Sequence, residues 1–402
     1  MNILMISDVY FPRVNGVSTS IQSFRNTLRA DGHKVTLVVP AYPGTTDDDA
    51  DVVRIRSRYL AVDPEDRIMR RTELLQFGRR LVAGDYDIVH IHTPFLAHHY
   101  GLWLARRLGV PVIETYHTHF EEYLYHYLPL VPKRLTRLVT RWFSRRQCNA
   151  VDALVVPSRA FEAVLQNYGV QKPLWRLPTG LELERIGPGS RRRFCARHGI
   201  DPNRPILVHI GRLAHEKNIG LILDALRRVR SIHPRVLLVI AGEGPARTSL
   251  VRRVRSMGLA ANVRFLGYLK RGEPLWDCYC AGDLFVFASQ TETQGLVLLE
   301  ALALGVPVVS IAALGTHDIL DLGRGAVVAE NDPEDFASKV SSLLEQPERR
   351  YALGLQGQEF AAQWSAAALG KRLIDVYQAT LGAGRAPDPL SAEVLRSNPP
   401  PA

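Results

Sequence analysis

The sequence predicts an α/β chain of two Rossmann-like, doubly wound parallel-sheet domains facing across a cleft. Three observations predict it. At 402 residues the chain is too long for one ordinary core and suits two domains of similar weight. Short β-branched runs alternate with amphipathic helical stretches, as in parallel sheets covered on both faces. The alternation also restarts half-way, after a segment rich in Gly, Pro and Arg.

In the first half, strands are expected near Ile3 to Ile6, Val35 to Val39, Ile88 to Ile91, Val110 to Thr115 and Ala153 to Val156. Amphipathic segments such as the one carrying Ile21, Phe24 and Leu28 lie between them. In the second half, strands fall near Ile206 to Ile210, Val236 to Ala241, Val263 to Leu266, Leu284 to Phe287, Val306 to Ser310 and Ala326 to Val328. Between Leu181 and Pro205 the chain is irregular (ERIGPGSRRRF, then GIDPNRP), where a hinge is expected. After Pro333 only helical pattern remains. The boundaries are therefore a first domain over 1–182, a second over 183–382 with the closing C-terminal helices, and a Pro-rich tail over 383–402 expected to be disordered. Doubly wound sheets bind ligands outside the carboxyl ends of their strands, so two facing sheets are expected to share one ligand.

The opening MNILMISDVY lacks the basic flank and long apolar stretch of a signal peptide, and no run of about 18 apolar residues occurs, so a cytoplasmic chain is expected. Cys148, Cys195, Cys278 and Cys280 are scattered, and Cys278-Tyr-Cys280 lacks the second ligand pair of a zinc site; they read as reduced and structural. His90 and His92, like His117 and His119, stand two apart on strands, but no further cluster has zinc spacing, so core or cleft histidines are expected and no metal. The formal charge of +10 draws polyanions: nucleic acid, anionic lipid or phosphorylated substrates. The arginines are not interleaved with stacking aromatics and no helix-turn-helix pattern occurs, which speaks against nucleic acid.

Chemistry concentrates at two points. Strand ILVHIG runs into Gly211-Arg212-Leu213-Ala214-His215-Glu216-Lys217-Asn218, with a helix from about Ile219. Arg212 and Lys217 thus leave the carboxyl end of a strand beside a helix N-terminus, an arrangement suited to a diphosphate; a solvated basic loop is the plainer alternative. In ASQTETQGLVLLEALALGVPVV, Gly295 is expected to open a helix, leaving Glu292 in the loop before it and Glu300 more than a turn inside. Carboxylates pair well with vicinal hydroxyls. Glu300 then suits a ribose and Glu292 a transferred sugar, with backbone N–H groups near Gly295 and Leu296 facing the diphosphate. An exposed helical Glu after an apolar strand is common, so the spacing alone is weak.

These pieces and their order resemble the family 4 glycosyltransferases of the GT-B fold along nearly the whole chain. The matching segments are DVYFPRVNGVSTSI, HIHTPF, TYHTHFEEYLYHYLP, VVPS, LPTGLELERI, IGRLAHEKNI, IAGEGP, VRFLGYL and the stretch with both glutamates. The resemblance implies a retaining hexosyltransferase with Arg212 and Lys217 on the donor diphosphate, Glu292 near the donor sugar and Glu300 at the ribose; because those two cations neutralise the leaving group's charge, a metal-independent reaction is expected. It further implies Gln294, Gly295 and Leu296 in the donor site, Gly16 in a loop closing over the phosphates, and His117 facing the reacting sugar. Read without it, a His at a strand end is more often structural. Asn15 stands where many members carry a second glycine, and Gln294 where many carry Phe. TETQGLV together with HTHFEEYLYHYLP resembles the branch that glucosylates diacylglycerol, which implies UDP-glucose and a membrane lipid; a GDP-mannose-dependent mannosyltransferase is the alternative, the choice resting on contacts near Tyr268.

No carboxylate pair is placed as nucleophile and acid in glycosidase fashion, so front-face transfer is expected, the leaving diphosphate stabilised by Arg212 and Lys217. No cofactor is expected beyond the nucleotide sugar as co-substrate. Asp47-Asp48-Asp49 lies in a loop with no strand end before it. A sugar-nucleotide epimerase would need acid/base carboxylates that nothing marks, and a two-lobed sugar receptor would need export. Finally Lys133, Arg134, Arg137, Arg141, Arg145 and Arg146 form a basic stripe beside Leu135, Leu138, Val139, Trp142 and Phe143. With Arg67, Arg70, Arg71, Arg79 and Arg80 it suits an anionic membrane surface; the alternative is a solvated helix whose apolar side packs on the sheet.

Overall fold

The computed structural model describes residues 1–13, 15–45, 49–59, 67–117, 133–321 and 323–382, with backbone alone over 133–137. The expected disordered tail, the segment from Thr118 through the rest of HTHFEEYLYHYLP, and Asp47 and Asp48 lie outside the described residues. The chain divides into two units, Met1–Gly180 with the chain from Ala366 onward, and Leu181–Ser365.

The first unit runs β1 (Asn2–Ile6), α1 (Gly16–Ala30), β2 (Lys34–Pro40), β3 (Val52–Ile55), β4 (Ser57–Tyr59), β5 (Arg67–Met69), α2 (Arg71–Val82), β6 (Ile88–Ile91), α3 (Leu96–Leu108), β7 (Val112–Thr115), α4 (Lys133–Cys148), β8 (Ala153–Val156), α5 (Arg159–Asn167) and β9 (Leu174–Arg176). Seven parallel strands lie in the order β3-β2-β1-β6-β7-β8-β9. The central strands ILMI, IVHI, VIET and ALVV are almost wholly buried because helices cover both faces. Their three polar residues are satisfied internally: Glu114 accepts from His98 Nδ1 at 2.9 Å, and His90 bonds Thr115. The sequence did not reveal β3, β4, β5 and β9; these are edge or hairpin strands of three or four residues, too short to show a periodic pattern.

The second unit runs α6 (Arg191–His198), β10 (Ile206–Ile210), α7 (Ile219–Ile232), β11 (Leu237–Ala241), α8 (Arg247–Ser256), β12 (Val263–Gly267), α9 (Glu273–Ala281), β13 (Leu284–Phe287), α10 (Leu296–Ala303), β14 (Val308–Ile311), α11 (His317–Leu320), β15 (Ala326–Ala329), α12 (Pro333–Glu345) and α13 (Pro347–Ala362). Its six parallel strands follow β12-β11-β10-β13-β14-β15. Alternate residues of the strands feed two cores, Ile206, Val208 and Ile210 on one face and Leu207, Leu238 and Ile240 on the other. Beyond β10 and β11 the two chains stay paired, Gly211 N donating to Ala241 O at 3.0 Å and Leu213 N to Glu243 O at 2.9 Å. A Cβ on Gly242 would lie 1.9 Å from the Gly211 carbonyl oxygen, at φ +139°, so only glycine permits this approach.

Two expectations are corrected. The closing helix α14 (Ala366–Leu381), expected with the second domain, belongs to the first unit. It packs on α1, where a Cβ on Gly370 would lie 2.1 Å from Thr27 Cγ2, and its Tyr377 hydroxyl meets His90 Nδ1 at 2.7 Å. Helical periodicity shows that α14 has an apolar face but not which sheet the face covers. The supposed hinge between Leu181 and Pro205 contains α6, capped by Ser190 and docked on α9 by Arg193, whose Nη2 meets buried Asp277 at 2.6 Å. The run of arginines concealed a helix, because its hydropathy is that of a loop while its charges reach protein partners.

Candidate active site

In a doubly wound sheet the strand order reverses between two neighbouring strands, and the loops after both open a crevice at their carboxyl ends. In the second unit those strands are β10 and β13. Arg212 and Lys217 follow β10, while Glu292, Gln294 and Gly295 follow β13, so the reversal gathers the residues that the sequence singled out. Lys217 Nζ donates to Glu292 Oε1 at 2.5 Å. Arg212 is exposed and has no side-chain partner among the described residues. The Glu292 carbonyl accepts from Gly315 N at 3.0 Å, which ties its loop to the one after β14, and Gln294 is buried in the same loop.

Gly295, at φ +94°, turns the chain into α10, whose first residue is Leu296. Among the described residues no side chain caps this N-terminus, an arrangement that suits an anion at the helix dipole. Glu300 sits inside α10 and is buried. Its Oε1 accepts from Arg271 Nη2 at 2.7 Å and its Oε2 from the Tyr279 hydroxyl at 2.8 Å. Burial, then the charge of Glu300, pushes the Tyr279 phenol far up, so it stays a donor. A carboxylate offers about four acceptor sites, so Glu300 keeps capacity for a diol. Sequence reasoning missed Arg271 and Tyr279; Arg271 stands in a basic loop, KRGE, but nothing marks Tyr279. His209, buried in β10, donates from Nδ1 to Val286 O at 3.0 Å, and burial lowers its pKa to about 4, so it is neutral. Tyr268, just after β12, is exposed.

In the first unit the reversal lies between β1 and β6. Gly16, expected in a loop, is instead the first residue of α1; Asn15 caps that helix, accepting from Ser18 N at 2.8 Å. This explains Asn15 where a second glycine was expected: an Asn carbonyl satisfies a helix-end N–H that glycine leaves bare. Asp8, after β1, accepts from Thr93 Oγ1 at 2.8 Å and Ala97 N at 3.1 Å, and burial raises its pKa to about 6. His92 and His117 follow β6 and β7. His92 Nδ1 and His117 Nε2 are 3.2 Å apart, and the His90 and His92 rings lie 4.0 Å apart. Both nitrogens of His90 are engaged, by Tyr377 and by Thr115, each at 2.7 Å. Burial holds His90 and His117 near 3 and His92 well below its ordinary value, so all three imidazoles are neutral. His119 lies outside the described residues.

Residues 14–185 match glycosyltransferase family 4, and residues 190–360 match glycosyl transferases group 1. An alpha-monoglucosyldiacylglycerol synthase of Streptococcus pneumoniae is 33% identical over 327 residues, covering 77% of this chain and 71% of that protein. The chain belongs to the family 4 glycosyltransferases. A GDP-mannose-dependent alpha-mannosyltransferase of Mycobacterium tuberculosis is 28% identical over 95% of this chain and 97% of its own. A sucrose-phosphate synthase from Thermosynechococcus elongatus superimposes with a TM-score of 0.76 at 20% identity, over 96% of this glycosyltransferase and all of that chain, which shows the GT-B fold.

This glycosyltransferase also has an inverted helix. The buried face of α4 carries Thr140, Ser144, Gln147 and Cys148, whereas Leu138 is 65% exposed, Val139 48% and Trp142 62%, beside exposed Arg141, Arg145 and Arg146. The arrangement in which the apolar side packs on the sheet is thus overturned for these residues; the side chains of Lys133, Arg134, Leu135 and Arg137 lie outside the described ones. Arg67, grouped with the second basic cluster, is buried, its guanidinium 4.1 Å from the Tyr59 ring centroid, while Arg70, Arg71, Arg79 and Arg80 are exposed. Among the described residues no helix is long and apolar enough to cross a membrane.

Proposed function

We propose that this glycosyltransferase moves glucose from UDP-glucose, with retention, to a hydroxyl of a membrane lipid such as diacylglycerol, while attached peripherally to the inner, anionic face of a membrane. The observation that carries the lipid acceptor is α4, which turns Leu138, Val139 and Trp142 outward among arginines and buries its polar side. Apolar anchors flanked by cations suit an anionic interface better than open water. Glucose and a diacylglycerol acceptor follow the pneumococcal relative's name.

In this reading the donor diphosphate lies at the β10–β13 reversal, against Arg212, Lys217 and the open N-terminus of α10, with Gly16 closing over the phosphates. Glu300 and its two donors meet the ribose. Lys217 turns from Glu292 to the phosphate, and Glu292 is released to the sugar. As the C1–O bond to the diphosphate breaks, charge grows on the leaving oxygen, where both cations stabilise it. That oxygen takes the proton of the acceptor hydroxyl, and the new C1–O bond forms on the same face of an oxocarbenium-like sugar. His117 binds a sugar hydroxyl. No metal and no cofactor enter the scheme, and Asp49, the described member of the acidic run, is held by Arg25 at 2.9 Å and Arg29 at 2.6 Å.

A GDP-mannose donor is the second reading, favoured by the mycobacterial mannosyltransferase matching almost the full length. Purified protein assayed with UDP-glucose, UDP-galactose and GDP-mannose, with and without diacylglycerol in anionic vesicles, tests both. UDP release from UDP-glucose that rises with lipid, and falls in Trp142→Glu, is expected. Turnover of GDP-mannose alone would move the donor, and indifference to vesicles would remove the membrane acceptor.

A further inference from the structure

The 3.2 Å contact between His92 Nδ1 and His117 Nε2 joins two neutral rings, so it holds one N–H and one lone pair. Two arrangements satisfy it. In one, His117 Nε2–H donates to His92 Nδ1; His92 then carries its proton on Nε2. That nitrogen is fully buried and has no hydrogen-bond partner among the described residues. In the other, His92 Nδ1–H donates to His117 Nε2, and the bare atom on His92 is a lone pair. Buried N–H groups without acceptors are rarer in proteins than acceptors without donors, so the second arrangement wins. The His92 ring has little freedom to escape the choice, packed against a His90 ring that is pinned at both ends by Tyr377 and Thr115.

We infer that His92 is a positioning residue that fixes the tautomer of His117, leaving His117 with its lone pair consumed and an Nδ1–H presented to the substrate. His117 thereby serves as a hydrogen-bond donor to a sugar hydroxyl and not as a proton acceptor. This rests on the reading of His117 as the group that meets the sugar. His92, Thr115, His90 and Tyr377 then act together as a buried ladder that keeps each ring neutral and in register, because a charge on any member is opposed by burial and by its neighbours.

Ring-nitrogen NMR of the full chain labelled with 15N-histidine tests this, with His92→Phe and His117→Gln used to assign the signals. Protonated Nδ1 and bare Nε2 on both His92 and His117, unchanged between about pH 8 and pH 5, are expected from the neutral state. A protonated Nε2 on His117, or charging of either ring in that range, would overturn the inference whatever the activity. In kinetics, losing one positioning hydrogen bond in His92→Phe should lower kcat/KM for donor turnover about tenfold, chiefly through kcat. His92→Asn, whose side-chain amide reproduces the Nδ1–H donor, should restore most of it; equal losses in the two variants would reduce His92 to a packing residue. Wild-type transfer by His117→Gln would instead sink the catalytic reading while leaving the tautomer result standing.

Discussion

Lys217 and Glu292, 75 positions apart in the chain, form an ion pair of 2.5 Å at the reversal of the second sheet, so the cation and the carboxylate of the proposed donor site are each other's partner. Removing either leaves the other half-buried and uncompensated. Lys217→Ala and Glu292→Ala should each lower transfer about 100-fold or more with the circular dichroism unchanged. The double variant should lose less than the product of the two, because the groups act as a unit. Full activity in both single variants would remove the site.

The two donors on Glu300 differ in burial, and their loss should differ too. Tyr279→Phe deletes a buried hydrogen bond to a carboxylate and should cost about 1–3 kcal/mol in denaturant unfolding. Arg271 is 43% exposed, so Arg271→Ala should cost under about 1 kcal/mol while raising the donor KM. The reverse order of stabilities would show that Tyr279 is not the principal partner.

Two glycines separate steric need from ligand need. Gly242→Ala places a methyl 1.9 Å from a backbone oxygen at a φ unsuited to L residues, and should destabilise the second unit by about 3 kcal/mol or more. A Cβ at Gly16 meets nothing within 4 Å, so Gly16→Ala should melt like wild type. Impaired donor turnover in that variant then reports on the phosphates; unimpaired turnover would take Gly16 out of the donor site.

His90, buried, and His117, half-buried, set a pH dependence of definite sign. His90 and His117 titrate near 3 in the folded chain and near 6.5 unfolded, so the stability they contribute is complete above pH 6.5 and is lost as pH falls toward 3. Each adds a slope approaching about 1.4 kcal/mol per pH unit within that window. Asp8 acts oppositely, since a raised carboxyl favours the folded state at low pH and its contribution fades between its unfolded value of 3.8 and about 6. Urea titrations from pH 4 to 8 should show His90→Gln with a shallower acid loss than wild type and Asp8→Asn with a steeper one. Catalysis should show no limb near 6.5 from His117, and such a limb abolished by His117→Gln would contradict the neutral ladder.

By itself the sequence determined the two parallel sheets, because strands covered on both faces read as near-continuous apolar runs, as ILMI, IVHI, ILVHI and LFVF do between helical stretches. It also placed Arg212, Lys217, Glu292 and Gly295 in the loops that follow two strand ends of the second unit, since local order alone carries them there. Tertiary structure decided what depends on distant partners: that α14 completes the first unit, that α6 is a docked helix, and that α4 turns Trp142 outward. It also decided that Glu300 is gripped by Arg271 and Tyr279, and that His90, His92 and His117 form one ladder with Tyr377, 287 positions from His90. Periodicity measures which side of an element is apolar; only packing settles what that side meets, and a hydrogen bond between remote residues leaves no periodic trace.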